Sequence, residues 1–579
     1  MKPQASTIFK IIGLLCFFSA SMASGFTLDR EAFSITNYDL NLQVDPTQHR
    51  LGGRGTITLR NDSSTPQKIA VLQISSSLDW RAIKAGDTAV QFVAQPFASD
   101  IDHTGALSEA IVTLPQPVEP HETVNLQIAY EGVIVVDATR LTRIGTPEDQ
   151  ARSSDWDQIG EQFIALRGAG YVAWYPIATE SVDLSEADSL AQVLNRWKER
   201  EVGSGTQLHI SLDRSASEPP QFLYDGVACD KIEWEQAGLA QKVLAECKAQ
   251  KFRQDVPTLV IADYKLLEKR SVEVRYQVGH ESAATEFADA AERAETFVAD
   301  WFGPARERAK TAELPVANAA PFESGALLLT PLSKPDSALY GLAAAHQLAH
   351  ASFLSFRPWI EEGLAHFSQS LYLESQKNRQ AALDYLGLHR SAFIAAENDA
   401  ANAASEVQAR QSLINTNRDE FYRSKAMYVW WMLRDMLGDA ALKKAIATYR
   451  PEQDKETSYM PRLIAAQTPR DLEWFFDDWV YRDRGLPEFK VEPAFARKTM
   501  TNAYMVTITV DNVGSAGAEV PVKVKFAGGD VTKRLEVRAK QKATIRVEVP
   551  GVPSEIVVND GSVPEANVIN NVYKVTVSE

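Results

Sequence analysis

The sequence predicts a multidomain α+β protein, and three observations carry that prediction. The chain has 579 residues, which is too many for a single hydrophobic core. Near both ends, apolar residues alternate with a period of two, as in β-strands. The middle is instead helical in pattern and rich in Ala, Leu, Arg and Glu. We therefore expect a leader at 1–24 and three domains, at 25–252, 253–488 and 489–579.

The first residues have the pattern of a secretory signal peptide. Lys2 and Lys10 precede the apolar run Ile11 to Ala20, and small residues follow at 21–23, where a signal peptidase would cut. A membrane anchor is the alternative, but this apolar run is too short to span a bilayer. The sequence thus predicts an exported protein, periplasmic or secreted, with no stable membrane span after the signal is removed.

Charge and cysteine content restrict the partners and the compartment. A net charge of −16 and an isoelectric point near 5.2 argue against nucleic acid as a partner. Outside the signal, the cysteines are Cys229 and Cys247. In an oxidising compartment they would form one disulfide, and the alternative is two buried, unpaired thiols.

The region 25–252 is predicted to be an antiparallel β domain. Its apolar positions alternate in the segments YDLNLQVD (38–45), GTITLRN (55–61) and VNLQIAY (124–130), and Gly52-Gly53 and Asn61-Asp62 are expected to mark turns. The segment 185–201 is helical in pattern, and we assign it no function. In the last region, 489–579, alternation at 506–510, 522–526 and 545–549 predicts a small β-sandwich.

The middle region contains the residues most suggestive of chemistry. His346 and His350 stand four apart in an apolar run, so on a helix both imidazoles project from one face. Pro358 interrupts that helix, and a second amphipathic run brings Glu362 into place as a third ligand. Two histidines and a carboxylate are a zinc-ligand set that leaves a fourth position for water. The alternative is a buried helix that happens to carry two histidines.

The segment HQLAH at 346–350, followed by WIEEGLAHF at 359–367, resembles the gluzincin aminopeptidases, the zinc metallopeptidase family of aminopeptidase N. The resemblance implies Zn²⁺ held by His346, His350 and Glu362. It also places Gln347 where the family has the glutamate that acts as general base. Eleven residues separate His350 from Glu362 here, fewer than in the family.

The resemblance extends to a substrate-binding strand. The segment APFES at 320–324 is similar to the family's GAMEN motif, in which an edge strand binds the substrate backbone and the glutamate holds the free α-amino group. By that match Glu323 recognises peptide or protein N-termini. The glutamate alone is identical, and a carboxylate merely exposed on an edge strand is the alternative.

A further segment, FYRSKAMYVWWMLRDMLGD at 421–439, resembles the family helix whose tyrosine stabilises the oxyanion. Alignment on Lys425 puts Arg423 in the tyrosine position, with Tyr422 one residue earlier. Tyr422 is therefore a candidate oxyanion donor only if the start of the helix adjusts to turn it inward. A tyrosine packed in the core is the alternative.

Taken over the chain, the resemblance implies an N-terminal β saddle, a thermolysin-like catalytic domain and a C-terminal β-sandwich. It implies a cleft suited to peptide N-termini in which hydrolysis is impaired, because the amide of Gln347 cannot accept a proton. Glu361 is not expected to substitute, since it points about 100° away from Glu362 on the helix. The alternatives are an active aminopeptidase that uses another base and a metal-stabilised interaction protein without enzymatic activity.

Overall fold

The structure is a computed structural model that describes most of the chain. The described residues are 28–99, 105–143, 145–167, 173–178, 200, 202–214, 218–237, 240–252, 256–332, 337–402, 412–414, 416, 420–482, 484–565 and 567–577. The predicted signal segment, 1–24, and nearly all of the predicted helical insertion, 185–201, lie outside these residues.

The first region contains an eight-stranded and a three-stranded β-sheet that share one core. The eight-stranded sheet has the strand order Asp230–Ala237, Ala240–Lys251, Gly205–Asp213, Phe33–Asp45, Arg50–Asn61, Thr123–Val133, Leu78–Ala85 and Thr88–Ala89. The three-stranded sheet consists of Gln67–Ile74, Gly105–Val118 and Gln91–Ser99. The alternating residues Leu40, Leu42 and Val44 are buried, as their periodicity predicts. Pairing is antiparallel except between Phe33–Asp45 and Gly205–Asp213, which run parallel.

A third, antiparallel sheet connects the first region to the second. Its strands are, in order, Val227–Ala228, Gln221–Tyr224, Thr258–Ala262, Phe163–Arg167 and Gln158–Ile159, and the short helices Thr139–Arg143 and Glu148–Ser154 precede it in the chain. The strand Thr258–Ala262 lies past the predicted boundary at 252/253 but pairs with strands of the first region. Periodicity identifies a strand, whereas its pairing partners depend on tertiary structure.

The second region packs helices against a five-stranded mixed sheet. The strand order is Lys265–Glu268, Val272–Tyr276, Ala309–Glu313, Leu327–Thr330 and Phe322–Ser324, so Phe322–Ser324 forms one edge. The α-helices are Glu281–Phe302, Ser337–Ser352, Pro358–Gln376, Arg379–Asn402, Ala426–Leu437, Asp439–Thr448, Tyr459–Ala465 and Glu473–Phe476. Two π-helical segments, Glu420–Lys425 and Asp477–Tyr481, and the 3-10 turn Pro451–Gln453 complete it.

The last region consists of two small sheets facing a common core. One contains Phe489–Val491, Tyr504–Asn512, Phe495–Lys498, Thr576–Val577 and Lys542–Val549; the other contains Gly529–Val537, Ala518–Phe526, Pro553–Val558 and Val572–Lys574, with the 3-10 turn Ile569–Asn571 beside them. Its buried residues are continuous with those of the helices, and Trp479 donates a hydrogen bond of 2.8 Å to the carbonyl of Gly517 at the junction. Within the described residues, no helix is both long and apolar enough to cross a bilayer.

Cys229 and Cys247 are joined in a disulfide, which resolves the alternative left open by the sequence. Cys247 belongs to strand Ala240–Lys251 of the eight-stranded sheet, and Cys229 follows strand Val227–Ala228 of the third sheet. The bond therefore links two sheets within the core of the first region.

Replacing both cysteines by serine should lower the free energy of unfolding by about 3 kcal/mol, because the unfolded chain loses the constraint of a short closed loop. Chemical denaturation of the purified protein measures this change. Reducing agent should shift the transition of the native protein by the same amount and leave that of the double variant unchanged. A native protein that is insensitive to reductant would contradict the prediction.

Candidate metal centre

Two consecutive helices bring the predicted ligands together. The histidine helix, Ser337–Ser352, carries His346 and His350 one turn apart, and residues 353–357 connect it to the glutamate helix, Pro358–Gln376. Pro358 occupies the start of the glutamate helix, where its missing N–H costs nothing, so the predicted break is present. Glu362 then faces back toward the two histidines.

The three predicted ligand groups converge on one space. The Nε2 atoms of His346 and His350 are 3.2 Å apart. Glu362 places one carboxylate oxygen 3.6 Å from His350 Nε2 and the other 4.0 Å from His346 Nε2. Donor atoms around a tetrahedral zinc ion, with bonds of about 2.0–2.2 Å, lie about 3.3 Å from one another. The two histidines approach different oxygens of Glu362, so side-chain movement would be needed for these donors to share one Zn²⁺ ion. As placed, two groups in the described residues have single donor atoms that all lie within 4.8 Å of one another: Glu323, His346 and His350, and His346, Glu362 and His366.

Glu323 belongs to the same cluster. It lies on the edge strand Phe322–Ser324, and its Oε2 is 2.8 Å from His346 Nε2 and 3.7 Å from His350 Nε2. Burial by itself would raise the pKa of Glu323, but the charge and hydrogen bond of His346, together with the charge of His350, hold it below its usual value. The predicted edge strand is present, and its carboxylate points at the histidines.

A carboxylate also reaches the second nitrogen of His350. Glu361 Oε1 is 3.7 Å from His350 Nδ1, on the side of the ring away from the ligand cluster. Burial would lower the pKa of His350, but the carboxylates of Glu361, Glu362 and Glu323 together raise it to about 9. A carboxylate beside the non-ligating nitrogen is the arrangement that orients histidine ligands in metal sites. Glu361 is therefore placed to orient His350 as a metal ligand, as in such sites.

Gln347 does not face the ligand cluster. Its side-chain amide donates hydrogen bonds to the carbonyls of Lys310, at 2.8 Å, and Ala326, at 3.0 Å, and its carbonyl accepts one from Thr311 Oγ1 at 3.1 Å. The residue is 1 % exposed. All three partners belong to or adjoin neighbouring sheet strands, so Gln347 attaches the histidine helix to the sheet.

His366 is a site residue that the sequence analysis missed. It stands one turn after Glu362 on the glutamate helix, and one donor atom each from His346, Glu362 and His366 lie within 4.8 Å of one another. Burial lowers the pKa of His366 well below its usual value, and the charges of His346 and Arg423 act in the same direction. The spacing of four from Glu362 was the available signal.

The segment that resembles the oxyanion helix begins with the π-helical turn Glu420–Lys425. Arg423 Nε is 3.4 Å from a carboxylate oxygen of Glu362, whereas Tyr422 is 9 % exposed and its ring lies 5.5 Å from the Arg423 guanidinium. Lys425 is buried in an ion pair of 2.8 Å with Glu397, which anchors this turn. Arg423 thus contacts a predicted ligand directly, and the oxyanion role of Tyr422 stays a prediction.

Comparisons with known proteins identify structures of similar fold. Matches include the M1 zinc metallopeptidase of Deinococcus radiodurans (TM-score 0.51), a point mutant of it (0.51), and that mutant bound to the substrate Tyr-Ser-Ala (0.50). Each is 18% identical in sequence, and each match covers 79% of this chain and 96% of the other. No protein-family model matches, and no curated protein matches significantly. Identity at this level shows a shared fold, so the predicted mixed α+β multidomain class is confirmed.

The contacts of Gln347 change what its replacement should do. From the sequence alone, Gln347→Glu would restore a general base. In the structure a carboxylate at this position would lie unpaired against two carbonyl oxygens, so the substitution should destabilise the protein by about 3 kcal/mol. Thermal and chemical unfolding measure the loss, with the exposed Gln127→Glu as the matched control. Unchanged stability together with a large gain in peptidase turnover would show that residue 347 faces the metal.

Proposed function

We propose that this protein is an exported, zinc-binding relative of the aminopeptidase N family that binds peptide N-termini and hydrolyses them poorly. The observation that carries the proposal is the convergence of His346, His350 and Glu362 beside Glu323 on an edge strand. The fold shared with M1 zinc metallopeptidases supports the same assignment. A thermolysin-like catalytic domain flanked by two β domains is the corresponding domain interpretation.

Zinc would be held by His346, His350 and Glu362, and a zinc ion whose fourth position is open would supply a polarised water there. Efficient hydrolysis also needs a base that takes the proton of that water and passes it to the leaving amine, a contribution of roughly 10²–10⁴-fold. Gln347 cannot accept a proton, and its amide is used by the sheet. Glu361 lies on the opposite side of the His350 ring from the ligand cluster. Poor turnover is expected because neither Gln347 nor Glu361 is placed to act as the base.

Recognition of a free amino group is assigned to Glu323. Its carboxylate is about one quarter exposed and sits at the end of a sheet whose edge strand offers backbone groups to an extended peptide. An ammonium group at the peptide N-terminus would form a charge-assisted hydrogen bond with it. The tripeptide Tyr-Ser-Ala, bound by the Deinococcus protein, is a suitable probe.

Export to the periplasm or beyond is part of the proposal. The signal pattern at 1–24 motivates it, and the disulfide between Cys229 and Cys247 supports it, because such bonds persist in oxidising compartments. The acidic net charge is consistent with peptides rather than nucleic acid as ligands.

Protein purified without chelator should contain one zinc ion per chain. His350→Ala should reduce the content to well under half an ion, because loss of a ligand histidine weakens zinc binding enough for the ion to be lost during purification. Elemental analysis measures both, and His209→Ala, a partly exposed histidine of the first region, is the matched control. Low zinc in the native protein, unaltered by His350→Ala, would remove the metal site.

Calorimetry should detect binding of Tyr-Ser-Ala and its loss on N-acetylation. Glu323→Gln should weaken binding by at least about tenfold, since a charge-assisted hydrogen bond is removed. The partly exposed Glu286→Gln is the control.

Equal affinity for free and acetylated peptides would take Glu323 out of the site, and robust peptide turnover by the native protein would favour the active aminopeptidase. Absence of peptide binding and turnover in a zinc-loaded protein would favour the metal-stabilised interaction protein.

A further inference from the structure

Four histidines form a continuous row through the second region. Ring centroids are 4.9 Å apart from His350 to His346, 4.7 Å from His346 to His366, and 5.7 Å from His366 to His389. His346 and His350 belong to the predicted metal site. His366, on the glutamate helix, either packs against that site or donates to the same ion.

The geometry of His366 is that of a donor. Glu362 and His366 are four residues apart and so project from one face of the glutamate helix. One donor atom from each, together with one from His346, lie within 4.8 Å of one another. Among the described residues, the buried Nδ1 of His366 has no hydrogen-bond partner. A buried ring nitrogen without a partner is costly, and a metal ion bound at that nitrogen would satisfy it.

His389 provides the contrast. Its Nδ1 lies 3.2 Å from Ser424 Oγ, and it belongs to neither of the two donor groups in the described residues. Its ring contacts that of His366, with the centroids 5.7 Å apart. His366 differs from His389 in two respects. One of its ring nitrogens lies close to the predicted ligands, and among the described residues its Nδ1 has no hydrogen-bond partner.

We propose that His366 is a fourth protein ligand of the zinc ion held by His346, His350 and Glu362. This inference rests on the proposed function, because it presupposes that the ion is bound. Catalytic zinc sites keep three protein ligands and an open position for water, whereas structural sites are closed by four. A fourth ligand from the glutamate helix takes the place of the water. The site then holds its ion without activating a nucleophile.

The proposal accounts for two otherwise separate features of the chain. Gln347 is committed to the sheet, so no base stands beside the metal, and a closed site has no water for a base to act on. The i, i+4 pair Glu362 and His366 repeats on the glutamate helix the pattern of His346 and His350 on the histidine helix. Each helix thereby supplies two donors.

X-ray absorption spectroscopy of the full-length, zinc-loaded protein counts the imidazole ligands. Three imidazoles are expected, compared with two in a site formed by His346, His350 and Glu362 alone. Competition with a chromophoric chelator should show that His366→Ala weakens zinc binding by more than about tenfold. His389→Ala, the matched control from the same row, should leave zinc affinity unchanged.

Two imidazoles in the native protein, with equal zinc affinity in the native protein and in His366→Ala, would overturn this inference and leave the proposed zinc site intact. A native protein that binds no zinc would instead overturn both. If His366→Ala fails to fold, the spectrum of the native protein still decides the ligand count. His366→Gln, which keeps a polar side chain of similar reach, gives a second measure of affinity.

Discussion

The hydrogen bonds from the Gln347 amide to the carbonyls of Lys310 and Ala326 are the contact on which the site depends. They join the buried face of the histidine helix to two neighbouring strands, and they set the rotation of the helix about its axis. With that rotation set, His346 and His350 face the edge strand that carries Glu323. The same contact turns Gln347, which the sequence resemblance aligns with the family's general base, away from the predicted ligands.

The glutamate helix is positioned by hydrogen bonds and by close packing. Ser368 and Gln369 donate hydrogen bonds to carbonyls of the histidine helix, and Trp430 donates one to the carbonyl of Trp359. A Cβ added to Gly363 would lie 2.7 Å from Ala426 Cβ, so only glycine allows the glutamate helix to approach helix Ala426–Leu437 this closely. Beside it, the rings of Trp359 and Trp430 stack at 5.4 Å with an interplanar angle of 13°. Glu362 and His366 stand three residues after Trp359 and Gly363, respectively, so this contact also positions the part of the helix surface that carries them.

Charge is concentrated where the two helices meet. Glu323, Glu361 and Glu362 surround the histidines, and Arg423 is a cation that reaches this group from the following π-helical turn. Clustered carboxylates repel one another, and a bound divalent cation relieves that repulsion. Metal binding and folding of the second region are therefore expected to be coupled. The buried pair of Lys425 with Glu397 keeps the turn in place without adding net charge.

The sequence alone determined the features that local periodicity controls. Alternation identified the strands, Pro358 identified the helix break, and spacing of four placed His346 and His350 on one face, because these signals depend only on backbone geometry within a few residues. Tertiary structure decided the rest. Sequence spacing says nothing about which strand Thr258–Ala262 joins or whether His366 lies beside His346, since those distances separate different elements. The carbonyl partners of Gln347 are also set by tertiary structure, because they depend on how the histidine helix packs on the sheet.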